Sequence, residues 1–494
     1  MKSIVLLTAI ALSASLISCG SGSAGSDLNH STINASSFIV KNGSLNQSYN
    51  SQISNYTIKF ESSINVCGEN AESIITSCFM IESQELKFGY TTKFYLNQTP
   101  ITLKRVESDF PDILCQNKNT IDDGSTYLIT PYSFVTVDHQ DAFAPVNYLV
   151  ALTNQCYPIW YQRLIGSHGY DLKLADNNTL IYKNMSNVDG ALVDNIQLLN
   201  NTSTVYLDGK DVLNDMHDVI YMANKNYINL FNNESTNQFI DESGTVGDIF
   251  YTSFSTSQGE TIFRAIDYYN VSDILDQSEV NYVVGGVHYT NLDHGNSIAY
   301  TNDGNIVYNS RNTSSILKIN PQNGNVIWQF GGLRNQFMVL NDPLYPFMYE
   351  HFVRQLPNGN YMVFDNGTSE RGYSRVVEYF VDETNMTATL VWQFIDPRHI
   401  FAQYMGNGER LQDGNTVINY GTLSDKTLPQ VEEVEYSGNV INQIFFPDKT
   451  YSYRAYKVNL PPSYRDLVMP TEDIALHHSN YSTTKSVNVH PFNY

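Results

Sequence analysis

Three glycines, Gly304, Gly359 and Gly414, fall 55 residues apart, each in a short polar turn between apolar segments. The turns read Asn302-Asp303-Gly304-Asn305, Pro357-Asn358-Gly359-Asn360 and Asp413-Gly414-Asn415. Asn, Asp and Gly accept positive φ at low cost, so each turn marks a hairpin. Two units also close alike, with Val326-Ile327-Trp328-Gln329-Phe330 and Val391-Trp392-Gln393-Phe394. The segments alternate with period two and lack a sustained 3.6-residue pattern, so the repeating element is a strand. Four short strands in a repeat of this length predict a β-propeller blade, the known blades running at about 40 to 50 residues. Turns at Asn177 and Lys225 extend the count to five blades. Segments 148–152 and 159–161 supply strands of a sixth, closing the ring against 451–458. The expected fold is all-β, a six-bladed β-propeller over 146–494 preceded by a small β-sandwich over 37–145. The stretch near 259–279 lengthens one unit and is read as a loop over one face.

The ends of the chain carry different signals. Lys2, an apolar run through Ile17 and Leu16-Ile17-Ser18-Cys19 predict a signal peptide over 1–19 with a bacterial lipobox, in which Cys19 is lipidated. Residues 20–36 are rich in Gly, Ser and Asn, the composition of a flexible tether. Residues 461–494 are expected to pack on the outside. No other apolar stretch approaches the roughly 18 residues of a membrane span, so the expected location is periplasmic or on the outer membrane, with the lipid as the sole membrane contact. Cys67, Cys78, Cys115 and Cys156 remain after Cys19, an even number in an oxidising compartment with three possible pairings. The expected pairs are Cys67 with Cys78 and Cys115 with Cys156. A net charge of −22 without a basic stripe excludes a nucleic-acid partner. Any anion site in so acidic a chain needs locally placed Arg and His.

Four histidines precede the turns by about eight to ten residues: His168, His217, His294 and His351. Inner strands of a propeller line a central channel, so equivalent positions converge at one end of it. Imidazoles there can act as general acids, bases or nucleophiles. Metal ligation is disfavoured, because no HxH or HExxH pair is present and no acidic residue recurs beside all four. No metal and no cofactor is expected. Arg311, Arg371 and Arg375 follow the same strands as the histidines, and guanidinium forks match tetrahedral oxyanions. Tyr349, Tyr373, Tyr404 and Tyr420 are candidates for stacking on an aromatic substrate.

Residues 290–421 resemble the bacterial arylsulfotransferase family, exported enzymes that move a sulfuryl group between phenols without a nucleotide donor. The resemblance rests on Asp293-His294-Gly295-Asn296, Asn309-Ser310-Arg311-Asn312, Glu350-His351-Phe352, Phe364-Asp365-Asn366-Gly367 through Ser374-Arg375, and Met405-Gly406-Asn407. His217-Asp218 resembles a His-acid pair of an earlier blade in that family. The resemblance implies a funnel in which His294, His351 and His217 are catalytic and Arg371 grips the sulfate. It leaves Arg311, Arg375, His168 and Tyr420 as substrate-binding residues, with a phenolic sulfate donor and a phenol acceptor as the small-molecule partners. The chain departs from the family pattern at 416–421, where the family keeps a nucleophilic histidine and this sequence has none. The nucleophile then falls to His351 or His294, or transfer is direct. The competing reading is a non-catalytic envelope propeller that binds a partner protein or small ligand. Trp328 and Trp392 resemble docking positions of quinoprotein-like propellers, but a quinone-dependent dehydrogenase is disfavoured for want of a vicinal cysteine pair or an acidic cluster. The sequence leaves open whether the chain forms a homodimer.

Overall fold

In a computed structural model the described residues are 31–464 and 472–473, apart from 119–122, 138–139, 144, 177–178, 189–190, 201–202, 207–213, 223–225, 241–245, 277–280, 285 and 424. The signal peptide with Cys19, residues 20–30 of the tether, the turns at Asn177 and Lys225 and most of the 461–494 tail lie outside them, while Thr32–Ile33 of the expected tether is a strand. The described residues form an all-β molecule with short 3-10 turns.

The N-terminal part holds a five-stranded and a three-stranded sheet over residues 32–105. Period-two patterning builds it, because Thr91–Leu96 alternates buried Thr92, Phe94 and Leu96 with outward-facing residues. Phe38, Ile64, Val66 and Ile81 of one sheet share an apolar cluster with Tyr56, Ile58, Phe94 and Leu103 of the other. A disulfide between Cys67 and Cys78 joins adjacent strands of the smaller sheet.

Among the described residues the rest is six larger sheets and a three-stranded one of Tyr132–Val137, Gln140–Phe143 and Thr450–Tyr451, and each larger sheet winds outward from a first strand that lies beside the next sheet's first strand. These first strands are Ser167–Asp176, Asn214–Tyr221, Gly295–Tyr300, Phe352–Gln355, Asn407–Arg410 and Ala455–Val458. The last returns to contact the first, so the succession is closed. Ala455–Val458 pairs antiparallel with Thr126–Ile129, which continues into Val146–Leu152 and Pro158–Ile165. Leu114–Asn117 adds to the outer edge of the Asn407–Arg410 sheet, and the Cys115–Cys156 disulfide ties that edge to the neighbouring sheet. Both expected cysteine pairs are therefore present. The expected boundary at 145 does not coincide with a break in strand pairing, since 114–117 and 126–129 pair with later strands.

Asparagine amides clamp one sheet to the next. Asn309 donates to the Glu350 carbonyl at 2.6 Å, Asn366 to the Ala402 and Met405 carbonyls at 2.7 and 2.9 Å, and Asn419 to the Ser452 and Tyr453 carbonyls at 2.9 and 3.2 Å. Each buried amide fixes the backbone just before a first strand, where a main-chain acceptor would otherwise be left without a partner. The long stretch near 259–279 is not a loose loop in its described part. Phe263, Ala265, Tyr269 and Ile274 are buried against Leu292 and Tyr308, and the Tyr269 hydroxyl lies 2.7 Å from Ser315 Oγ. Apolar side chains at this spacing draw 3-10 turns into the core.

Candidate active site

Three of the four histidines meet. The rings of His217 and His294 stand edge to face with centroids 4.8 Å apart. His351 is close enough that both press on its protonation. They come from three consecutive sheets, at or just before the first strands.

Each ring is fixed by one hydrogen-bonding side. His217 Nδ1 donates to Asp215 Oδ1 at 2.5 Å, and the same oxygen takes the His217 backbone N–H at 2.8 Å. Burial acts to raise the Asp215 pKa, but the His217 ring and the two bonds hold it below the usual carboxylate range. The carboxylate therefore stays charged and fixes a proton of the His217 ring on Nδ1. His351 Nδ1 donates to Asn366 Oδ1 and the Tyr349 carbonyl, both at 2.9 Å. Because the Asn366 amide nitrogen is committed to two carbonyls, its oxygen must face His351. With the ring pKa held down by burial, that leaves His351 Nε2 unprotonated. His294 is the opposite case: its Nδ1 accepts from Asn291 Nδ2 at 3.0 Å, so its proton sits on Nε2. Burial, reinforced by Arg311 and the neighbouring rings, holds His294 and His351 well below the ordinary imidazole pKa. Two neutral rings thus present a lone pair and a donor side by side.

The backbone around His294 is bent to make this possible. His294 has φ 48°, a left-handed conformation that a β-carbon resists, and Tyr349 beside His351 has φ 57°. Asp293 anchors the bend, accepting from the Thr252 backbone at 2.9 Å and from the Tyr308 hydroxyl, while Ser310 Oγ donates to its carbonyl at 3.0 Å. Burial pushes the Asp293 pKa up to about 7.

The arginines divide. Arg311 is buried, lies over the rings of Tyr349 and Tyr404 at 4.8 and 5.1 Å, and depresses both His294 and His351 electrostatically. Arg371 instead makes a fork onto Asp365 at 2.6 and 2.9 Å and donates to the Tyr373 carbonyl at 3.0 Å. Arg375 is buried between Asp342 and Asp365. The arginine facing the histidines is therefore Arg311, and the resemblance-based expectation of Arg371 in that position meets an arginine already paired. Tyr420 is buried with its hydroxyl on Glu432 at 3.0 Å, a packing position. His168 is held by Asn147, and burial alone lowers its pKa to about 3. Sequence reading missed Asp215, Asn291 and Asn366, which set the tautomers. The Asp215-Met216-His217 spacing, placing both polar residues on one strand face, was the available signal for the first.

The fifth sheet, that of Asn407–Arg410, offers no histidine for a structural reason. The position in phase with His351, eight residues before the turn glycine, is Gly406. Its φ is 99°, and a β-carbon there would lie 2.5 Å from the Phe364 ring and 2.7 Å from the Asn419 carbonyl. No side chain fits without moving the backbone.

Immediately beside the histidines, the first strands carry a cluster of paired charges. Asp218 meets Lys173 at 2.6 Å, Arg354 at 2.8 Å and Arg454 at 3.3 Å, while Asp171 meets Lys173 at 2.5 Å, Arg454 at 2.9 Å and the Tyr456 hydroxyl at 2.6 Å. Among the described residues no group of three or more His, Cys, Asp or Glu side chains is arranged to hold a metal ion. No described helix is long and apolar enough to cross a membrane.

Comparison with known proteins adds one strong finding. A family model described as Arylsulfotransferase (ASST) matches residues 186–457, more than half of the chain. No curated protein matches. Among solved structures, a protein of unknown function from Bacteroides caccae is 10% identical, with 68% of this chain and 99% of that one covered at a TM-score of 0.36. A putative 6-phosphogluconolactonase from Bacteroides fragilis is 11% identical over 68% and 98% of the two chains at 0.31. Virginiamycin B lyase from Staphylococcus aureus is 10% identical over 67% and 73% at 0.26. Scores this low add nothing to the family match.

Proposed function

The chain belongs to the arylsulfotransferase family, and we propose that it transfers a sulfuryl group from an aryl sulfate to a phenol at the cluster of His217, His294, His351 and Arg311. Family membership supports sulfuryl transfer in general. The observation that carries the site is that His351, its Nε2 lone pair fixed by Asn366, lies near enough to Arg311 and His294 for both to hold its pKa down. We read the six sheets as a six-bladed β-propeller and the two N-terminal sheets as a β-sandwich, because the first strands contact one another in a closed succession.

The reaction follows from the tautomers. The His351 Nε2 lone pair attacks sulfur while the bond to the aryl oxygen breaks, its electron pair leaving as phenolate, which takes a proton from water. His294 Nε2–H and Arg311 hold the sulfuryl oxygens, where charge redistributes in a loose in-line transition state. In the second half, the acceptor phenol gives its proton to His217 Nε2 and its oxygen attacks sulfur. The nitrogen–sulfur bond returns its pair to His351, and His217 releases the proton to water. Asp215 steadies the charge on His217 meanwhile.

Purified protein given 4-nitrophenyl sulfate should release 4-nitrophenolate faster with phenol than without it. A triple variant, His294→Ala with His351→Ala and Arg311→Ala, should be inactive; no turnover by the wild type, or full turnover by the triple variant, overturns the reading. Brief exposure to donor should leave a sulfated His351 peptide in a mass spectrum. The tight backbone at Gly406 favours one competing reading, a propeller that binds aryl sulfates without turning them over. Saturable binding of 4-nitrophenyl sulfate without chromophore release would favour it. Lipid attachment at Cys19 completes the proposed location, and Cys19→Ser should move the protein from the membrane pellet to the soluble envelope fraction.

A further inference from the structure

Buried tyrosine hydroxyls in this molecule are usually spoken for. Tyr308 donates to Asp293, Tyr420 to Glu432, Tyr456 to Asp171 and Tyr127 to Glu433. Tyr453 is among the few that are not, its side chain 1% exposed and its hydroxyl without a hydrogen-bond partner among the described residues, and of those few it is the one whose ring packs on His217. A buried hydroxyl in that condition is costly, and a fold that tolerates it needs a reason.

The surroundings supply one. The Tyr453 ring stands edge to face with His217, centroids 5.9 Å apart, and with Tyr170 at the same separation. Its backbone is clamped, the carbonyl accepting from Asn419 at 3.2 Å and from the Gly406 N–H at 3.2 Å. The ring therefore enters the histidine cluster beside the position where Gly406 excludes any side chain. Tyr132, Tyr170, Met216 and Met405 complete an aromatic and thioether wall around it. Flat rings and adaptable thioethers suit an aromatic substrate. Burial first, then the nearby carboxylates Asp171, Asp218 and Asp215, keep the Tyr453 proton in place well above the ordinary phenol range, with Arg454 opposing.

We propose that Tyr453 is a further catalytic residue, the sixth-sector donor, whose hydroxyl gives a hydrogen bond to a non-bridging sulfuryl oxygen of the substrate. The proposal rests on the sulfuryl-transfer reading of the site. It assigns to the ring-closing strand the contact that the Asn407–Arg410 sheet cannot make through Gly406. The proton is shared and not transferred, so the tyrosine does not set the protonation of the leaving group.

The test is Tyr453→Phe, which keeps the ring and removes only the hydroxyl. Its kcat/KM for aryl sulfates should fall by about tenfold to a hundredfold, the range for one donor to a charged transition state. The dependence of rate on leaving-phenol pKa should keep its slope, and the melting temperature should hold or rise, because an unpartnered buried hydroxyl has been deleted. Activity within twofold of wild type, a steeper leaving-group dependence or a lower melting temperature overturns the assignment. If the wild type itself releases no chromophore, the transferase reading fails separately. The tyrosine is then judged by 4-nitrophenyl sulfate binding, which the variant must weaken at least tenfold for the contact to stand.

Discussion

His217 and Asp218 are neighbours in the chain yet belong to two polar clusters built on opposite rules. Around His217 each ring is held through Nδ1, by one carboxylate or by amide groups. Around Asp218 that acid meets three cations within 3.3 Å, and Asp171, Lys173 and Arg454 each meet two opposite charges. Both clusters are buried and both are assembled from the first strands. The difference teaches that reactivity here comes from incomplete pairing, and cohesion from complete pairing, one residue apart on the same strand.

The comparison breaks most visibly at His351. His351→Ala should cut kcat with 4-nitrophenyl sulfate about a thousandfold or more, while unfolding free energy changes by less than about 2 kcal/mol. A similar loss in both readouts would mean that the ring is structural. Asp218→Ala should do the reverse. Removing the acid leaves Lys173, Arg354 and Arg454 with too few partners and should destabilise by about 3–5 kcal/mol in urea titration. A loss below about 1 kcal/mol would show that the charges relax into water.

The arginines sharpen the contrast at smaller scale. Arg311→Lys should lower kcat about a hundredfold, because a lysine cannot reproduce the fork. Arg371→Lys should cost only a few-fold in kcat but lower the melting temperature by several degrees, since its fork already grips Asp365. Equal kinetic losses would return Arg371 to the sulfate. The smallest effects concern pH. With His294 and His351 held well below 6.5, neither ring should gain a proton between pH 7.5 and about 5.5, so a change in 4-nitrophenyl sulfate turnover over that window should shrink in Asp293→Asn, which removes the buried acid raised to about 7. His168, lowered to about 3, contributes stability that is present above 6.5 and is lost as pH falls from 6.5 toward 3. His168→Phe should therefore show a shallower fall in melting temperature over that window than the wild type.

Much of this was legible in the sequence because it is periodic. Turn glycines at a fixed interval marked the repeat, and His217, His294 and His351 stood at comparable phases of it. The placing of both disulfides before residue 157 followed from the crowding of the cysteines there, with three pairings open until the structure set Cys67–Cys78 and Cys115–Cys156. What could not be read was choice among like residues. Arg311 and Arg371 both follow strands, and only Asp365, folded back onto Arg371, tells them apart. Tyr453 lies outside any repeated motif and reaches the cluster only through ring closure. The pairing of strands 114–117 and 126–129 across the expected boundary at 145 was hidden for a similar reason, since they find partners hundreds of residues later.

Thr130 and Ser452, bonded across 322 residues of sequence, sit at that closure. Non-local pairing of this kind is slow, because a very long loop must be brought together before any contact rewards it. Tyr453 and Arg454 lie between two late strands, Thr450–Tyr451 and Ala455–Val458, so the charge cluster of the first strands is complete only once the ring closes. On the proposed sulfuryl-transfer reading, full activity then reads out whether the whole circle has folded.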